Sequence, residues 1–111
     1  MKTVVLARVV GTFAEDKDAA AKLRREVILP ALAADESLEI DFGGVSLTTQ
    51  SFIHALISEA LRQHGEDALG RIYFRNCSTA PRGIIETVVQ YVLEARNEPD
   101  AQGADERQES D

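Results

Sequence analysis

Tryptophan is absent from this 111-residue chain, cysteine and methionine occur once each, and proline only three times. The single cysteine, Cys77, excludes an internal disulfide framework and a cysteine-rich metal site. It fits a reducing compartment, so a cytoplasmic location is expected. No apolar run approaches the ~20 residues of a membrane-spanning helix. The opening Val4-Val5-Leu6-Ala7 is cut by Arg8 and is too short for the apolar core of a secretory signal. A basic stripe with interleaved aromatics is also missing, which argues against direct nucleic-acid binding.

What is present is ordinary for one soluble globular domain, with 44% hydrophobic and 28% charged residues. The net charge of −7 is unevenly placed. Glu98, Asp100, Asp105, Glu106, Glu109 and Asp111 against Arg107 alone put −5 in residues 98–111 and leave −2 for residues 1–97. After Asn97 the large apolar residues stop. Residues 1–97 therefore read as the folded domain, and 98–111 as a disordered acidic tail.

Residues 3–10 are rich in β-branched side chains and predict a first strand, ended by Gly11. Thr12 and Glu15 have capping-box spacing, with Thr12 the expected N-cap. The helix that follows is expected to run to about Ala34, with Ala19, Ala20, Leu23, Val27 and Leu32 on its apolar face. Pro30 predicts a kink or an early end. Leu38 to Phe42 predicts a buried second strand. From Thr49 to His64 the period is helical: Phe52, Leu56 and Ala60 form one row, and Ile53, Ile57 and Leu61 the next. Arg71 to Phe74 predicts a third strand. Ser78 or Thr79 caps a last helix with Pro81 in its first turn and Ile84, Ile85, Val88, Val89 and Val92 on its apolar face. Alternation of strand and helix predicts an α/β fold, with a small, mostly parallel sheet of three to four strands and three helices.

The chemistry concentrates between Ile40 and His54. Asp41 ends a predicted parallel strand, the place where open α/β sheets gather ligands. The better reading is that it accepts backbone N–H bonds and orders the Gly43-Gly44 turn, since no second carboxylate or His has a spacing that partners it. Ser46, Thr48, Thr49, Gln50 and Ser51 then crowd a helix start, where hydroxyls cap and an anion is tolerated. Gly43-Gly44 lacks the following Lys-Ser/Thr of a phosphate loop. His54 and His64 sit about 80° apart on a helix, which defeats a metal pair. Cys77 has no triad around it. Lys22, Arg24 and Arg25 read as a solvated helix face. No cofactor, metal or catalytic residue is expected.

Ile40-Asp41-Phe42, Gly44-Val45 and Ser51-Phe52 together resemble the "-DF-GV----SF-" signature of the STAS-like domains of short bacterial proteins, distant relatives of the anti-sigma factor antagonists. Asn76 after the third strand resembles the Asn often found there. The resemblance implies a signalling module whose partner is an anti-sigma factor or a histidine-kinase-like ATPase. In the antagonists a serine at this helix start is phosphorylated, and Ser51 matches it. Thr49-Gln50-Ser51-Phe52 stands where antagonists carry Asp-Ser-Ser-Gly, so the Asp and the Gly are both missing here.

The expectation is thus a non-catalytic regulatory module that binds a protein through Asp41, Gly43, Gly44, Ser46, Thr48, Thr49, Gln50, Ser51 and His54. Ser51 is the modifiable hydroxyl, with Thr48 and Thr49 as substitutes. A phosphate brings about −1.5 to −2 charges to the positive helix end, where it stabilises the helix by ~0.3–1 kcal/mol. A docked partner meeting that charge at a cost of ~3 kcal/mol loses about a hundredfold in affinity. Two alternatives stand beside it. One is a small-ligand sensor or minor enzyme at the strand ends around Asp41. The other is a homo-oligomer joined edge to edge through the first strand.

Overall fold

A computed structural model describes residues 1–97. The expected acidic tail, 98–111, lies outside the described residues. Three parallel strands form the main sheet: β1 (Lys2–Val5), β3 (Leu38–Asp41) and β5 (Ile72–Arg75), in the spatial order β1-β3-β5. Lys2, Leu38 and Ile72 lie level across it, as do Val4, Ile40 and Phe74. These even-numbered side chains make the core face, where Leu38, Ile40 and Ile72 are buried.

The first strand is shorter than its composition predicts. It ends at Val5, and residues Ala7–Val10 form a short helix, α1. Leu6 closes the strand by donating its N–H to the Asp41 carbonyl at 3.0 Å, and its own carbonyl then accepts from Val9 and Val10. Its side chain is wholly buried. One buried leucine and two turn hydrogen bonds override the strand preference of Val9 and Val10.

The Thr12 capping box is not formed. Phe13–Ala14 is a two-residue strand, β2, paired in parallel with β4 (Leu47–Thr48). The helix N-cap is Asp16, whose carboxylate accepts from the N–H of Asp18 at 2.9 Å and of Ala19 at 3.3 Å. Helix α2 (Lys17–Leu23) continues through a π-helical turn (Arg24–Ile28) into α3 (Leu29–Ala33). The wide turn includes Glu26, whose carbonyl a regular helix would push into the Pro30 ring. Proline therefore does not stop the helix; the turn before it widens. Arg24 departs from the expected solvated face, since its guanidinium is half-buried and donates to the Ala55 carbonyl at 3.1 Å.

Helix α4 (Gln50–His64) packs between α2 and α6 (Thr79–Asn97). Both of its apolar rows are buried as the spacing predicts, each side chain at 1% exposure or less. Burying its five large apolar side chains contributes at most roughly 7–15 kcal/mol. A one-turn helix absent from the sequence reading, α5 (Glu66–Leu69), joins α4 to β5. On α6, Ile85, Val88 and Val92 are buried, and Ile84 and Val89 are half-buried.

The other face of the sheet is left open, with Thr3, Tyr73 and Arg75 exposed. Its side chains satisfy one another. Glu39 accepts from the Thr3 hydroxyl at 3.4 Å and pairs with Arg75 at 2.9 Å, while the Arg75 guanidinium lies 5.4 Å from the centre of the Tyr73 ring. Among the described residues, no helix is long and apolar enough to cross a membrane.

Candidate functional site

Phe42 leaves β3 fully buried, and Val45 returns to the core three residues later. The Val45 N–H closes this turn on the Phe42 carbonyl at 2.9 Å. Gly44 sits at its third position with φ 88°, where a side chain is strained. Gly43 is needed for a different reason: a Cβ there would stand 3.0 Å from the Asp41 carboxylate.

Asp41 organises that turn. Its Oδ1 accepts from the Gly43 N–H at 2.8 Å and from the Asn76 side-chain amide at 2.9 Å. The Asn76 amide, and next the Gly43 N–H, hold the carboxyl below its ordinary pKa. Asn76 itself takes a left-handed φ of 59°, which asparagine tolerates better than most side chains. Of the two roles open to Asp41 from the sequence, the geometry displays the ordering of the loop.

Ser46 then ties β4 to the preceding segment, its N–H and hydroxyl donating to the Thr12 carbonyl at 2.9 and 3.3 Å. Thr48 points inward at 7% exposure, and its hydroxyl donates to the Ala14 carbonyl at 2.8 Å. Thr49 is the N-cap of α4, its hydroxyl accepting from the Phe52 N–H at 3.0 Å. Gln50 and Ser51 come next on the helix and are exposed. The Ser51 hydroxyl has no protein partner among the described residues.

Lys17, Gln50, Ser51, His54 and Ala55 line one shallow cavity of about 520 Å³. Burial lowers the His54 pKa, and the Arg62 charge adds to the effect. Lys17 was not visible as a site residue in the sequence. It arrives because the β2–β4 ladder sets the starts of α2 and α4 side by side. The same ladder presents a second unforeseen feature. Phe13 and Leu47 are register partners pointing to solvent, 44% and 52% exposed, and Val9 on neighbouring α1 is 50% exposed.

Cys77, half-buried, has its thiol pushed up in pKa by burial, which suits a packed residue more than a nucleophile. Among the described residues, no three His, Cys, Asp or Glu side chains are grouped as a metal ion would require.

Parallel strands with the long helices packed on one side, and a capped helix start behind a glycine turn, define a small α/β domain. A family model described as a STAS-like domain of unknown function (DUF4325) matches residues 19–80, more than half of the chain, and the chain belongs to that family. No curated protein and no solved structure matches it.

Proposed function

We propose that this chain is a non-catalytic regulatory module that docks a protein partner on the surface formed by β2, β4 and the start of α4. The exposed pair Phe13 and Leu47, on the short ladder that leads into the start of α4 and its solvent-facing Ser51, carries this reading. Apolar side chains of this size set side by side on an otherwise polar surface favour a protein contact. The residues around them divide into two groups. Asp41, Gly43, Gly44, Thr48 and Thr49 shape the surface, because their polar atoms or backbone are committed to the turn and the cap. Ser51, Gln50, His54 and Lys17 face the partner.

Ser51 is the modifiable hydroxyl of the set. Thr48 and Thr49 are weaker substitutes, because the Thr48 hydroxyl is buried and that of Thr49 is engaged as the α4 cap. A phosphate on Ser51 would gain from the α4 N-terminus and from Lys17, so the module itself keeps its stability, while the partner meets a new dianion beside its apolar contact. By family resemblance the partner is an anti-sigma factor or a histidine-kinase-like ATPase, met in the cytoplasm.

The test is an affinity capture from the native host with wild type, Ser51→Asp and the pair Phe13→Ser/Leu47→Ser. Capture of such a regulator by wild type, lost in both variants, supports the reading. Equal capture by all three sinks it.

A further inference from the structure

Among the described residues, the edge of the main sheet farthest from β1 is unpaired, and it lies beside a groove. The carbonyls of Arg71, just before β5, and of Arg75, at its end, accept from the N–H groups of Leu38 and Phe42, at 2.8 Å each. Alternation along a strand then turns the N–H and C=O of Ile72 and Phe74 outward, away from β3. Among the described residues, no strand covers that side. Next to it runs a groove of about 300 Å³ lined by Ile72, Phe74, Cys77, Arg82, Ile85 and Glu86. Its floor is apolar. Arg75 also lines the groove but is paired with Glu39, whereas Arg82 and Glu86, a helical turn apart on α6, make no ion pair among the described residues.

We propose that this edge pairs with the same edge of a second copy of the chain, antiparallel about a two-fold axis through Tyr73. This surface is separate from the one around Ser51 and does not depend on the reading given there. A two-fold contact must be self-complementary, and this groove is. With Tyr73 on the axis, Ile72 stands opposite Phe74 of the second copy, and the reverse. Those are the residues with free backbone groups, so the pairing makes four hydrogen bonds and joins two three-stranded sheets into one of six. The opposed Ile72 and Phe74 side chains fall on the core side, against each other. On α6, Arg82 of one copy comes against Glu86 of the other, twice. An edge closed in this way is also no longer open to indiscriminate strand addition.

Light scattering over a broad concentration range, with hydrogen exchange of the backbone amides, tests this on the full chain. The expected result is the mass of two chains, falling to one on dilution, with the Ile72 and Phe74 amides protected only in the dimer. Arg82→Glu and Glu86→Arg each place like charges across the axis and should give the one-chain mass with an unchanged circular dichroism spectrum. The double variant restores opposite charges and should regain the dimer. A one-chain mass for wild type at every concentration overturns the proposal. So does a dimer in which both single variants persist, or one that the double variant fails to restore. Protection of the two amides in a one-chain species, on addition of some other protein, assigns the edge to a different occupant and overturns it as well.

Discussion

The Asp41 carboxylate and the Asn76 side-chain amide meet at 2.9 Å across the ends of two neighbouring strands, 35 residues apart in the chain. One bond thus joins the loop after β3 to the loop after β5. It also makes the shape of the glycine turn depend on the charge state of one carboxyl.

That dependence has a sign. The folded-state pKa of Asp41 is lowered, so its contribution to stability is present above the unfolded-state value and is lost as pH falls through the folded-state value. Asn76→Ala removes the larger cause of the shift. Urea midpoints measured from neutral to acid pH should therefore fall less steeply in the variant than in wild type across the window below the ordinary aspartate pKa. Parallel curves would mean that the contact does not persist in solution.

At Gly44, a φ of 88° should make alanine destabilising by about 1–2 kcal/mol, the usual cost of a left-handed residue with a Cβ. The added carbon would also lie 3.4 Å from the Ala7 Cβ. A fall in thermal midpoint of several degrees is expected, and an unchanged midpoint would contradict the turn geometry.

Thr49 and Ser51 sit two positions apart, and their alanine variants should part company. Thr49→Ala loses the α4 cap and about 1 kcal/mol of stability. Ser51→Ala, at an exposed site, should stay within about 0.5 kcal/mol of wild type in the same denaturation series. Equal losses would make Ser51 a capping residue and not a surface one.

The sequence reveals most where a period runs long enough to be counted. Two interleaved rows of three apolar residues each leave no choice but helix for α4, and Thr49 and Gly65 mark its ends. The centres of β3 and β5 are legible as short apolar runs. The rest depends on contacts distant in the chain. Val9 and Val10 read as strand because nothing local shows that Leu6 will be drawn into the core. A two-residue ladder such as β2–β4 has no period to detect. The site divides in the same way. The Thr49 cap and the accessible Ser51 are legible from their hydroxyls at a helix start. Lys17, and the pairing of Phe13 with Leu47, exist only after segments more than 30 residues apart have come together.

The π-helical turn solves a problem of angular phase. Leu32 follows Ala20 by twelve positions, which in a regular helix at ~100° per residue would leave them about 120° apart around the axis. Both are nevertheless buried, at 2% and 0% exposure. The wide turn takes up one surplus residue, reducing the offset to about 20° and aiming both halves at the same core. Deleting Arg25, exposed within that turn, together with Pro30→Ala, which removes the ring that the Glu26 carbonyl would otherwise meet, should thus return the segment to a plain α-helix with both halves still aligned, and unfolding should stay cooperative. The same deletion at Glu59, in the middle of α4, would rotate half of its apolar rows away from the core. The helix before β3 carries a spare residue; the helix after it has none.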